Sequence, residues 1–197
     1  MRVVANLGTM FTDVPLLQRY EKAAKIGFKL VENPFPYSVE ASELRSTADK
    51  FNLKHILINA PCGNFDNGDR GIAASKLHLK DFEKSILKAI QYAKILECPK
   101  IHIMAGIFAR DEEAIKIYKM NIAFANEMLE RVRIGCHIQV AQVPFRHEPD
   151  SKGELNYRYI FELMKTINDN WTIGCEYYNS TDNENSVQWV KDFGLDF

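Results

Sequence analysis

The stretch Gly135–Pro144, Gly-Cys-His-Ile-Gln-Val-Ala-Gln-Val-Pro, decides how the rest of the chain is read. An apolar-rich run ends at a proline that cannot donate to a sheet ladder, so it reads as a buried strand running out into a polar mouth. Gln142 stands at its carboxyl end. A charged loop, Arg146-His147-Glu148, follows, then a helical pattern through Leu155, Tyr159, Ile160, Leu163 and Ile167. A second strand, Thr172 to Tyr177, then carries Glu176 at its far end. Two successive strands thus deliver a polar side chain at one end, and in parallel α/β folds the carboxyl ends of strands are where ligands bind.

The same strand-then-helix unit recurs toward the amino terminus. Arg2–Leu7 precedes a helix face of Leu16, Leu17, Tyr20, Ala23 and Ala24, with Asp13 as expected cap, Pro15 in the first turn and Gly27 as the stop. Phe28–Val31 is followed by the breaker Asn33-Pro34-Phe35-Pro36 and a helix over Glu43–Phe51. Lys54–Ala60 leads through a long loop, Pro61 to about Ser75, to a helix with Phe82, Ile86, Ala89, Ile90, Ala93 and Leu96 on one face. Lys100–Ala105 precedes the helix over Asp111–Arg131, and the last strand leads to a short helix through Val187, Val190 and Phe193. Six βα units predict parallel strands with helical crossovers, in either an open doubly wound sheet or a barrel. The turn after the first strand, Gly8-Thr9-Met10-Phe11-Thr12-Asp13, lacks the Gly-x-Gly-x-x-Gly of a dinucleotide fold.

At 197 residues, with 46% hydrophobic residues and a formal net charge of -1, the chain is expected to be a single soluble domain, 1–197. A neutral balance gives no field for nucleic acid or anionic lipid. Cys62, Cys98, Cys136 and Cys175 are scattered without a Cys-x-x-Cys pair, which fits a reducing, cytoplasmic setting. No apolar run approaches the ~20 residues of a membrane span.

Glu176 follows Ile173-Gly174-Cys175, and a carboxylate in an apolar mouth is a candidate general base, because desolvation raises its pKa toward neutrality; the plainer reading is a surface glutamate. Gln142 needs partners, which could be backbone, substrate or a hard metal ion, and backbone satisfaction is the simplest. His102, between Ile101 and Ile103, either hydrogen-bonds inside or faces a ligand; His55 and His137 read as core histidines, and His147 as solvated. The glycine-rich loop Gly63–Gly71 reads as a mobile cover whose Arg70 could clamp a carboxylate. No nucleophile elbow or paired base points to covalent catalysis.

Ala5-Asn6-Leu7, Leu57-Ile58-Asn59-Ala60-Pro61-x-Gly63, Cys98-Pro99-Lys100-Ile101-His102-Ile103-Met104-Ala105-Gly106, Ile138–Pro144, Gly153-Glu154-Leu155-Asn156-Tyr157 and Gly174-Cys175-Glu176-Tyr177 together resemble the hydroxypyruvate isomerase family. The resemblance implies a xylose-isomerase-like TIM barrel that interconverts hydroxypyruvate and tartronate semialdehyde, with glutamates at the ends of the fifth and eighth strands moving the proton. Glu176 matches the second glutamate, and it is expected in the mouth beside Gln142 and Tyr177. The candidates for binding substrate are Arg70, His102 and Arg146, and those for holding a divalent cation, magnesium or manganese, are Gln142 and Glu176. The first glutamate has no counterpart: two βα units that the family carries are absent, with the junction placed near Val132–Gly135. The expected structure is therefore a six-unit, incomplete barrel. The expected function is this isomerisation, with an impaired, vestigial binding scaffold as the alternative and an endonuclease-type DNA repair enzyme as the more remote one.

Overall fold

Among the described residues six strands make one sheet in the order β4-β3-β2-β1-β6-β5, every neighbouring pair parallel. They are β1 (Arg2–Asn6), β2 (Leu30–Glu32), β3 (Lys54–Asn59), β4 (Ile101–His102), β5 (His137–Val140) and β6 (Thr172–Cys175). The computed structural model describes residues 2–107, 111–129, 137–167 and 172–197; the expected junction at Val132–Gly135, together with Cys136, lies outside them. The helices are α1 (Leu16–Ile26), α2 (Ala41–Lys50), α3 (Leu79–Leu96), α4 (Glu112–Leu129), α5 (Tyr157–Ile167) and α6 (Trp189–Asp192). None of them is long and apolar enough to cross a membrane.

The sheet is curled but not closed. β4 and β5 are its two ends, each with one strand neighbour among the described residues. Lys100 Nζ, just before β4, donates to Thr172 Oγ1 on β6 at 3.2 Å. In a flat sheet strands four places apart would be separated by about 19 Å, far beyond the reach of one lysine. Six strands in this curl form an incomplete barrel, two short of the eight of a closed one.

Strand alternation builds two layers. Val3, Ala5 and Leu7 on β1 and just beyond it, Val31 on β2, Ile173 and Cys175 on β6, and Val140 on β5 join the main core, shared with Tyr20, Leu44, Phe161 and Trp189 from the helical layer. Under β5 and β6 the packing is aromatic, with Phe161 stacked on Trp189 at a centroid distance of 5.8 Å and tilted against Phe193 at 5.5 Å. A second cluster, Ala60, Ile72, Ala73, Phe82, Ile86, Ala89 and Ala125, fills the space between α3 and α4. On the inner layer stand Asn6 and Glu32, both fully buried.

Two sequence expectations change in detail. The fourth strand is two residues rather than the six of Lys100–Ala105, because past His102 the backbone turns to a different partner: Ala105 bridges Gly71 antiparallel, and Met104 and Ala105 accept from Ala73 and Ala74. The first helix begins after Pro15 with no side-chain cap, and Asp13 instead meets Lys22 at 2.5 Å.

Candidate active site at the strand ends

Glu176 lies one residue past β6, its side chain about one-third exposed. Arg146 closes over it, its Nη2 3.5 Å from Glu176 Oε1 and donating to the Glu176 carbonyl at 3.0 Å. Arg146 holds a left-handed backbone, φ 54, which an unbranched residue adopts at modest cost. The conformation is fixed from both sides: Arg146 N–H donates to Gln142 O at 2.8 Å and Arg146 O accepts from Tyr178 N at 2.7 Å. His147, expected to be solvated, keeps an exposed contact in which its Nδ1 meets Tyr178 O at 2.9 Å, so it also ties the two loops together. Glu148 completes the clasp; its buried carboxylate accepts from Ser180 N at 2.8 Å and Ser180 Oγ at 2.7 Å. The loops after β5 and β6 are thereby one hydrogen-bonded unit that carries Arg146 and Glu176 together.

Gln142, two residues beyond β5, is buried and its amide is spent on backbone. Oε1 accepts from Val143 N at 3.0 Å and Leu155 N at 2.8 Å; Nε2 donates to Pro149 O at 3.3 Å and Leu155 O at 3.0 Å. The four bonds match the full donor and acceptor capacity of the side chain. Tyr177, expected in the mouth, faces the helical layer, where its hydroxyl donates to Ser186 O at 2.7 Å and accepts from Trp189 Nε1 at 3.0 Å. The alternation of β6 explains this, since Tyr177 shares the outward parity of Ile173 and Cys175.

His102 is exposed on the edge strand, with Nδ1 3.3 Å from Oδ1 of buried Asn59. Arg70 is exposed and engaged within its own loop: Nη1 donates to Phe65 O at 3.0 Å and Asp69 O at 2.8 Å, and the guanidinium lies 3.9 Å from the Phe65 ring centroid. The base of that loop is pinned to residues 104–105, and the exposed stretch from Gly63 to Arg70 is held at Phe65 against Phe35, ring centroids 5.4 Å apart. Of the predicted residues, then, the structure brings the Arg146 and Glu176 side chains together, with the Gln142 carbonyl accepting from Arg146 N–H, while the Gln142 amide, His102 and Arg70 each have separate surroundings.

Sequence reading missed the polar residues of the inner layer that meet at Gly174. Glu32 Oε1 accepts from Asn6 Nδ2 at 2.7 Å and from Gln139 Nε2 at 3.1 Å. Gly174, in register with Gln139 and two residues before Glu176 on the same face of β6, admits this carboxylate: a Cβ there would sit 2.6 and 2.7 Å from its oxygens. Glu32 falls directly before Asn33-Pro34, so a strand ended at Val31 consigns it to a loop; the β1–β2 register, Asn6 opposite Glu32, returns it to the sheet. As for a divalent cation, no three His, Cys, Asp or Glu side chains converge among the described residues, and Gln142 Oε1 already holds two N–H groups. The described donor set does not fit a cation held by Gln142 and Glu176.

The family described as "Xylose isomerase-like TIM barrel" matches residues 20–136. A Caenorhabditis elegans protein provisionally named hydroxypyruvate isomerase is 36% identical, covering 100% of this chain and 98% of its own. A Haemophilus influenzae protein named 2-oxo-tetronate isomerase is 29% identical, covering 98% and 99% respectively. Among solved structures, one titled as an AP endonuclease, family 2, from Brucella melitensis superposes with a TM-score of 0.89 at 28% identity, covering 97% of this chain and 98% of its own. The worm alignment runs over 260 positions against the 197 residues here, which leaves at least 63 positions with no residue of this chain.

Proposed function

The chain belongs to the xylose isomerase-like TIM barrel family, and from that premise we propose that it descends from, and retains the proton-handling half of, an isomerase of short 2-oxo hydroxy acids. Two named relatives, one for hydroxypyruvate and one for 2-oxo-tetronate, support that substrate class. The observation that carries the reading is the pair at the mouth: the Glu176 carboxylate beside the exposed end of Arg146, both rigidly set by the clasped loops.

The chemistry this pair offers is one proton transfer. Glu176 removes a proton from the hydroxymethyl carbon of hydroxypyruvate, the electron pair forms the carbon–carbon double bond of an enediolate, and the former carbonyl oxygen takes up the charge. Arg146 stands where it can neutralise an anionic substrate group. Completing the isomerisation requires a proton at the adjacent carbon and movement of the hydroxyl proton to the other oxygen. In the family as the sequence resembles it, a second glutamate shares that work. We place the missing units, and that glutamate, between α4 and β5: the sheet ends there on both sides, and the alignment leaves room for about two βα units of ~30 residues each. Slow turnover is the expectation.

The open sheet equally favours a second reading, a binding scaffold without turnover. The endonuclease reading is disfavoured by a net charge of -1, which supplies no field for a phosphate backbone. Hydroxypyruvate isomerisation by the folded chain, compared with Glu176→Gln, separates the first two: turnover lost in the variant supports the isomerase, and none from either protein leaves the scaffold.

A further inference from the structure

Asn67-Gly68, in the loop between β3 and α3, is the only Asn-Gly step in the chain. Asparagine is thermolabile because the backbone nitrogen of the next residue can attack its side-chain carbonyl carbon, and glycine, with no Cβ, shields that nitrogen least. Both residues are exposed, and a Cβ at Gly68 would meet nothing within 4 Å. What restrains the step is a turn. Phe65–Asn67 is a single turn of 3-10 helix closed by Gly68 in the left-handed region, φ 93. Gly68 N–H donates to Phe65 O at 3.1 Å, and Asn67 N–H donates to Asn64 O at 3.1 Å and to Asn64 Oδ1 at 3.2 Å. The same Phe65 carbonyl accepts from Arg70 Nη1 at 3.0 Å, the guanidinium lies over the Phe65 ring, and Asn64 N–H donates to Asp69 Oδ2 at 2.6 Å. A nitrogen whose proton is held by a carbonyl is a poor nucleophile, so ring closure has to break that bond first.

We propose that Asn67 is a site of spontaneous deamidation whose rate is set by opening of this loop. Gly68 N attacks Asn67 Cγ, the new carbon–nitrogen bond closes a succinimide ring, and Nδ2 leaves as ammonia with the proton from Gly68 N. Water then adds to one of the two ring carbonyls, and the ring opens to aspartate or to isoaspartate, in which the backbone runs through the former side chain. Either product places a further carboxylate between Asp66 and Asp69. Isoaspartate also lengthens the backbone by one carbon, so the bonds from residues 67 and 68 back to Asn64 and Phe65 lose their register, and Arg70 loses the carbonyl that holds it. The step needs only water and does not depend on turnover at the mouth.

The test incubates the full chain at mildly alkaline pH beside Arg70→Ala, beside Phe35→Ala, which loosens Phe65 from the other side, and beside the separate tryptic peptide His55–Arg70, which is too short to hold the turn. Mass spectrometry with fragmentation distinguishes conversion at Asn67 from conversion at Asn59 and Asn64 in the same peptide, and separates aspartate from isoaspartate. Amide hydrogen exchange at Gly68 reports loop opening independently, and unfolding curves identify which variants are folded. In the folded wild-type chain Asn67 is expected to convert, with isoaspartate among the products, more slowly than in the peptide and ahead of Asn59 and Asn64. A folded variant should convert at least ~fivefold faster than wild type, the factor by which losing one hydrogen bond favours the open loop, and its Gly68 exchange should rise in step. No conversion at Asn67 in the time that the peptide is fully converted, conversion as fast as in the peptide, or rates that do not follow Gly68 exchange would overturn the proposal.

Discussion

Replacing Gly174 with alanine probes the inner layer at its tightest point. The added Cβ would lie 2.6 and 2.7 Å from the Glu32 oxygens and 2.8 Å from the carboxyl carbon. Relief requires the carboxylate to retreat by several tenths of an ångström, but it is held by Asn6 at 2.7 Å and Gln139 at 3.1 Å and has no solvent to move into. Overpacking of this kind costs about 1–3 kcal/mol, and stretching a hydrogen bond to a charged group forfeits part of its ~1.5–3 kcal/mol. Against this, alanine restricts the unfolded chain and returns about 0.4–1 kcal/mol. The net expectation is a loss of roughly 2–3 kcal/mol, read from urea unfolding as a lower midpoint at unchanged slope. In a Glu32→Ala background the same substitution meets no carboxylate, so its cost should fall below about 1 kcal/mol. A Gly174→Ala protein within ~0.5 kcal/mol of wild type, or an equal cost in both backgrounds, would refute the close approach.

Three further outcomes follow from other parts of the molecule. His55, 2% exposed with Nε2 against the Tyr20 hydroxyl at 2.9 Å, has its pKa pushed down to about 4 by burial and then by nearby Arg45. Below pH ~6.5 the unfolded chain takes up a proton that the folded chain refuses, so stability should decline as pH falls from about 6.5 to 4, by ~3 kcal/mol in total, and His55→Asn should flatten that part of a pH–stability curve. Glu148→Ala strands the Ser180 donors and should cost about 2 kcal/mol locally, visible as roughly 30-fold faster amide hydrogen exchange at Ser180 with little change in β1. Turnover of hydroxypyruvate by this chain should be at least ~100-fold slower than that of a relative carrying the absent units, since one well-placed acid–base group contributes about 10²–10⁴-fold; equal rates in one assay would show that the second glutamate is not needed here.

The alternation of strands and helices was legible because each unit carries its own apolar period: the stripe through Phe82, Ile86, Ala89 and Ala93 is the buried face of α3. Strand order was legible only through the resemblance, since nothing local in Ile101 or Ile138 says that their strands end opposite sides of one sheet. Glu176 was found because it stands at a strand end before a change of pattern. Arg146 was a candidate too, but its pairing with Glu176 was not legible: it reaches the carboxylate through a left-handed backbone set by tertiary hydrogen bonds, which no periodicity encodes. Tyr177 was misplaced for a simpler reason, since counting alternation from Ile173 puts it among the outward residues. Glu32 and Gln139 were missed because a polar residue inside a short strand looks like a strand end until the register of its neighbours is known.

Proton abstraction by Glu176 is the center of the functional account, and solvent exchange tests it without waiting for complete turnover. Hydroxypyruvate incubated in D2O with the wild-type chain, with Glu176→Gln and without protein can be followed by proton NMR at the hydroxymethyl carbon. The wild-type chain should accelerate loss of that signal above the protein-free rate, and Glu176→Gln should return it to that rate while its unfolding curve stays close to wild type. Exchange that is unchanged by the substitution, or no faster with wild-type protein than without it, would contradict the account.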